Sequence, residues 1–250
     1  MATMCRLNDN YHLENNLPTL SKNSPEEHFV NSFEKYLEQR ALPRRDKEDK
    51  YYHVREFTLY GYGTADMLLV PKLHLKESGK EATFFVKIAS SPSLSKLLLH
   101  FPKRKNINKE KLSHEIGISK NTLNEFLRFL SIHALIGDKN HSISDLDTII
   151  PKFELWAFEA KMADWKKAVK QAYRYGSFAN KTIVILPKKA AKNAQKNLLV
   201  FRRLRVGLWS YDPDSSTLKP FYTPRTQTRK KTEANLRARA LVYAKILQFS

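Results

Sequence analysis

The chain of 250 residues carries 44 Lys or Arg against 25 Asp or Glu, a formal charge of +19 with histidine neutral. At 42% hydrophobic and 28% charged it has the composition of a folded globular protein, which excludes a collagen, a low-complexity linker and a small disulfide-stapled module. Cys5 is the single cysteine and cannot pair within the chain, and Met1 to Asn10 hold no apolar stretch behind a basic start, so a reducing cytoplasm is the expected compartment. No run approaches the roughly 18 apolar residues needed to span a bilayer. No membrane partner is therefore expected, and the excess charge points to a polyanion, nucleic acid first.

Residues 1–23 are Asn-rich, polar and aperiodic, the pattern of a mobile tail. At Ser24-Pro25-Glu26-Glu27 a helix is expected, with serine as cap, proline at the first helical position and Glu27 completing a capping box. Phe29, Phe33, Tyr36 and Leu37 then recur on one stripe. Strands are expected at Val54 to Leu59 and Ala65 to Val70 around a Gly61-Tyr62-Gly63 turn, with a hairpin-like continuation through Thr83 to Ile88. Further on come a strand at Phe153 to Phe158, a helix at Asp164 to Gly176, a buried strand at Thr182 to Leu186, a helix at Lys188 to Leu204 and a strand at Val206 to Tyr211. The order implies an α/β fold with a mixed central sheet flanked by helices, its core formed by 24–90 and 152–222.

Residues 91–151 interrupt this pattern with a mostly helical insert. Leu112, Ile116, Ile118, Leu123, Leu127 and Leu130 are spaced as the buried positions of two helices meeting at a sharp turn, with Gly117 at the corner and Ser119 capping the second helix. The stretch resembles a helix-turn-helix, and Ala134 to Gly137 with His141 to Ser144 would form the hairpin of a winged helix. In that motif the second helix enters the major groove, so Lys120, Asn121, Asn124 and Arg128 are the candidate DNA-binding residues: Asn for adenine, Arg for guanine and Lys for phosphate. A helical hairpin that contacts protein is the alternative, and Glu125 on the same helix sits uneasily near phosphates.

Two acids lie beside apolar runs expected to be core strands, Asp66 before Met67-Leu68-Leu69-Val70 and Glu159 after Leu155-Trp156-Ala157-Phe158. A carboxylate in a buried strand is costly unless paired or bound to a cation. In Glu159-Ala160-Lys161 the strand period of two turns Glu159 and Lys161 to one face. Two carboxylates on neighbouring strands with an adjacent ammonium are the minimum for metal-assisted phosphodiester hydrolysis. Asp66 and Glu159 would hold Mg²⁺, with Mn²⁺ as substitute. Lys161 would orient or help deprotonate the attacking water, or stabilise developing charge.

This set resembles the PD-(D/E)xK nuclease superfamily, the restriction-endonuclease-like fold, from about Pro25 to Tyr211 apart from the insert. Asp66 matches the metal-binding aspartate and Glu159 with Lys161 the ExK element, while Ala65 stands where the family has proline. Asp164-Trp165-Lys166-Lys167-Ala168, Gln171 and Tyr175 resemble the helix that follows, on which a glutamine faces the site. Glu27 resembles the acid on the first helix, although a capping box also explains it; Glu56 is a further helper-acid candidate or a surface charge. The resemblance implies Mg²⁺-dependent DNA cleavage. The alternatives are a non-catalytic DNA-binding protein, or an endonuclease subunit acting as a homodimer or within a larger nuclease, transposase or defence assembly. From Pro187 onward 15 cations face three acids, so Lys188 to Lys245, including a basic C-terminal helix within 223–250, is expected to face phosphates.

Overall fold

The computed structural model describes residues 24–41, 52–71, 80–101, 108–135, 150–227 and 232–248. The expected tail, and the expected wing hairpin from residue 136 onward, lie outside these residues. In chain order the elements are α1 (Pro25–Tyr36) with a π-helical turn (Leu37–Ala41), β1 (Tyr52–Leu59), β2 (Gly63–Val70), α2 (Ala82–Ser90), α3 (Pro92–His100), α4 (Lys109–Ile116), α5 (Lys120–Ile132), β3 (Trp156–Ala160), α6 (Trp165–Tyr175), β4 (Lys181–Pro187), α7 (Lys188–Gln195), α8 (Leu198–Leu204), β5 (Val206–Asp212), β6 (Thr217–Tyr222) and α9 (Glu233–Gln248). They fall into two compact units: Met1–Leu73 with Phe153–Lys230, and His74–Lys152 with Lys231–Ser250. Among the described residues no helix is long and apolar enough to cross a membrane.

The first unit is α/β. Its six strands run in the order β1-β2-β3-β4-β5-β6. The pairs β3/β4 and β4/β5 are parallel and the outer pairs antiparallel, which makes the sheet mixed, as the alternation of helices and strands implied. Ser24 caps α1 by accepting from the Glu27 amide at 3.2 Å, and Pro25 occupies the first turn, where its missing N–H costs nothing. Phe29, Val30, Phe33 and Leu37 then pack with Met67, Leu69, Phe158, Ala160, Ile183, Ile185, Trp209 and Tyr211 in one buried cluster. The strand residues of this cluster alternate along their chains, so they share a sheet face. Each large side chain buried there contributes about 1.5–3 kcal/mol of transfer free energy.

The second unit is helical, built from α2 to α5 and α9. Here two expectations are corrected. Residues 83–88 are helix, not strand: Phe84, Phe85, Ile88 and Ala89 are the buried positions, and their i, i+1, i+4, i+5 spacing is one face of a helix. They belong with the helical unit, so the α/β core does not extend to residue 90. The basic C-terminal helix is also part of this unit. Leu236, Ala240, Val242, Tyr243 and Ile246 of α9 are buried, and Tyr243 meets Phe85 edge-on with ring centroids 4.8 Å apart. Arg237, expected to face phosphate, is buried at 3% exposure, donating to the Ala89 carbonyl at 2.7 Å and pairing with Glu233 at 2.9 Å.

Smaller differences lie in the α/β unit. The helix expected at Lys188 to Leu204 is two, α7 and α8, separated at Lys196 and Asn197. The third strand starts at Trp156 rather than Phe153. The edge strand β6 has no counterpart among the expected elements, because Pro220 interrupts the strand pattern there; an edge strand tolerates a residue without an amide hydrogen.

Candidate active site

The site forms where β2 and β3 part. Their ladder pairs Met67 with Phe158, and extending that register by one residue sets Asp66 opposite Glu159. The β1–β2 ladder also skips this level, passing from Arg55↔Met67 to Phe57↔Ala65 across Glu56, whose φ is +46°. Glu56 is exposed, which makes it the surface charge of its two readings. With the neighbouring ladder ended, the Ala160 amide donates instead to Asp66 Oδ2 at 2.7 Å. The acid expected on β2 thus closes the end of β3.

Glu159 is fully buried on the side of β3 opposite Phe158 and Ala160. Ala168, Val169, Ala172 and Tyr175 are the buried positions of α6, which Asp164 caps. The Tyr175 hydroxyl hydrogen-bonds Glu159 Oε2 at 2.7 Å and also the Thr64 carbonyl. Burial and the nearby Asp66 carboxylate push the Glu159 carboxyl up to about 7. Burial likewise raises Asp66, against the opposing pull of Lys161 and the Ala160 amide. Burial and Glu159 raise the Tyr175 phenol strongly, so it stays protonated and acts as a donor.

Lys161 continues the parallel ladder through its amide, which donates to the Ile185 carbonyl at 3.2 Å. Its Nζ lies 3.3 Å from Glu159 Oε1 and 2.6 Å from Glu26 Oε1 on α1. Burial works against the ammonium, but Glu26, Asp66 and Glu159 outweigh it and hold its pKa above the ordinary lysine value. The cluster lies at the carboxyl end of β3, where its parallel pairing with β4 ends, the edge at which open α/β sheets place ligands.

Of the residues expected at the site, Lys161 pairs with Glu159 at 3.3 Å, and Asp66, bonded to the Ala160 amide, acts on both through its charge. Glu27 and Gln171 do not bond to this trio, yet each keeps a buried oxygen, Glu27 Oε2 and Gln171 Oε1, with no hydrogen-bond partner among the described residues. Asp66 and Glu159 are oxygen donors on adjacent strands, the donor type a divalent cation takes, and among the described residues no third carboxylate, imidazole or thiol joins them within 4.8 Å. The partner of Lys161 is Glu26, which the capping pattern of Ser24-Pro25-Glu26-Glu27 gave no reason to prefer over its neighbour. Tyr175 stands one helical turn after Gln171, and that i, i+4 spacing was its signal.

A second group lies in the same unit. One donor atom each from Glu34, Glu38 and His53 fall within 4.8 Å of one another. Glu34 bonds His53 Nε2 at 2.6 Å and Arg55 Nη1 at 3.2 Å. Burial opposes its charge, but these two partners hold its carboxyl below the ordinary value. Both Glu34 oxygens are thus committed to His53 and Arg55, so the group reads as an ion-pair network tying the end of α1 to β1.

In the helical unit, Gly117 turns the corner between α4 and α5 at φ +77°, and Ser119 caps α5. Leu112, Ile116, Leu123 and Leu130 are buried, while Lys120, Asn121, Asn124 and Arg128 are exposed, with Glu125 beside them. Lys120 pairs with Glu110 at 2.5 Å, and Asn124 accepts from Lys109 at 3.2 Å.

Fold and site together define an α/β protein with a buried carboxylate–lysine cluster at a strand end, joined in sequence to a helical unit. Comparison with protein-family models, with curated proteins and with solved structures gave no match.

Proposed function

We propose that the chain is a divalent-metal-dependent DNA endonuclease with a restriction-endonuclease-like core. One observation carries this reading: Asp66, Glu159 and Lys161 lie together at one strand end, where the buried Glu159 carboxylate has Tyr175 on one oxygen and the Lys161 ammonium on the other. Asp66 Oδ1 and Glu159 Oε1 would hold Mg²⁺ or Mn²⁺, their other oxygens being fixed by Ala160 and Tyr175. When bound, the ion acidifies a water and offsets charge on the scissile phosphate. Lys161 is held as an ammonium, so it donates: it orients the water or the phosphate oxygen and offsets developing charge, and it takes no proton. Glu26 fixes its position. Gln171 and Glu27 offer further oxygens to the ion or its waters. The exposed face of α5, through Lys120, Asn121, Asn124 and Arg128, would hold DNA in the manner of a helix-turn-helix.

Nicking of supercoiled plasmid with Mg²⁺ tests the reading. Asp66→Asn and Lys161→Ala should each lower the rate on the order of a hundredfold or more. No nicking by the wild type across metals and DNA forms, or unchanged nicking by both variants, overturns it. The Lys161–Glu26 contact supports a second reading, in which an internal cation neutralises the acids and the fold is a non-catalytic DNA-binding scaffold. Tight DNA binding with no cleavage, indifferent to Glu159→Gln, would favour that one.

A further inference from the structure

A cavity of about 520 Å³ in the α/β unit is lined by Arg174, Lys181, Arg203, Arg205 and Arg225. Among the described residues no carboxylate lines it, and none of the five cations forms an ion pair. Five like charges around one concavity repel one another, an arrangement an anionic occupant relieves. One of the cations is held in place by an aromatic ring. Lys181 Nζ stands 3.7 Å from the centroid of the Trp156 ring.

Arg205 ends α8 in the left-handed region at φ +54°, a conformation that favours glycine. An arginine there gives up backbone ease and sets a fifth cation at the cavity. Tyr62 and Tyr173 also line the space, the latter 57% exposed, and their rings offer stacking faces to a base. The volume suits a nucleotide-sized group, and guanidinium forks match phosphate oxygens two at a time.

We propose that this cavity is a phosphate-binding site that takes a nucleotide-sized group, either a nucleotide unit of a nucleic-acid strand or a free phosphorylated nucleotide. The site stands apart from the cleavage reading, because it can be measured with chelator present and no hydrolysis.

The test uses the full chain in EDTA with two probes. Inorganic pyrophosphate is followed by calorimetry, and a short labelled single-stranded oligodeoxynucleotide by anisotropy. The triple variant Arg203→Ala, Arg205→Gly, Arg225→Ala should bind at least one probe about tenfold or more weakly. Its melting temperature should stay near that of the wild type, since glycine suits position 205. On the strand, the slope of log affinity against log salt should fall by about 0.7 for each phosphate that the variant no longer neutralises. Weakening on the strand alone assigns the site to nucleic acid, weakening of pyrophosphate alone assigns it to a free nucleotide, and both outcomes support the site. A control triple, Lys188→Ala, Lys189→Ala, Lys192→Ala, should leave pyrophosphate affinity within about twofold. The proposal is overturned if the cavity triple changes neither affinity, or if pyrophosphate responds equally to both triples.

Discussion

Tyr175 and Glu159 are the residues on which the candidate site turns. The Tyr175 hydroxyl hydrogen-bonds Glu159 Oε2 and the Thr64 carbonyl, while its ring packs near Phe178 at 5.8 Å. Tyr175→Phe keeps the ring and removes the donor, so metal half-saturation or cleavage should worsen about 10–100-fold, as when an outer partner of a metal ligand is removed. A metal titration unchanged by the substitution would show that the hydroxyl does not position Glu159. Glu159 also sets a pH dependence. Its carboxyl rises from 4.5 to about 7 on folding, so the folded state binds the proton more tightly. The stabilisation is fully present below about 4.5 and is lost as pH rises through about 7. Between pH 5 and 8 the metal-free wild type should lose roughly 2 to 3 kcal/mol relative to Glu159→Gln. Paired denaturant melts in chelator check this, and a wild-type-minus-variant difference that is flat with pH would contradict it. Asp66, Glu159 and Lys161 were legible in the sequence because charge inside an apolar run has few structural explanations. Glu26 was not, because two adjacent glutamates in a first helical turn satisfy the same capping pattern.

The elements that were legible carried a local chemical marker. Ser24 before proline, Asp164 before α6, and Gly117 with Ser119 at the corner between α4 and α5 each solve a backbone problem at one position, and each occurs where expected. Gly117 N–H bonds the Ser113 and His114 carbonyls and Ile118 N–H bonds Ser113, which closes α4 with a left-handed residue. A Cβ at Gly117 would meet nothing within 4 Å, so Gly117→Ala isolates the backbone term. It should destabilise the helical unit by about 1–2 kcal/mol, read as a shift in its urea midpoint with the slope unchanged. An unchanged midpoint would mean that the corner is not held left-handed. The misread elements lacked such markers. Residues 83–88 are short and apolar enough for either strand or helix. In α9 the buried positions run all round the helix, so no polar stripe betrayed its burial, and its arginines suggested a surface it does not have.

At the scale of the whole molecule, the charge of +19 divides by location rather than by count. Lys188, Lys189 and Lys192 belong to α7, where Lys189 and its neighbours meet solvent, whereas Arg237 spends its charge on Glu233 and the Ala89 carbonyl inside the helical unit. Only solvent-facing cations can release counterions from DNA, so sequence charge overstates the phosphate-facing charge. Lys188→Ala, Lys189→Ala, Lys192→Ala should lower the salt slope of duplex affinity by about 0.9 for each phosphate that α7 ceases to neutralise. Arg237→Ala should leave that slope unchanged. Its cost falls on folding, about 2–4 kcal/mol, because removing one partner leaves Glu233 and the Ala89 carbonyl without their buried cation. Anisotropy at several salt concentrations, with melts of each variant, separates the two effects. A slope that falls in the still-folded Arg237→Ala protein would show that α9 faces the nucleic acid after all, and equal slopes for wild type and the α7 triple would remove α7 from the phosphate path.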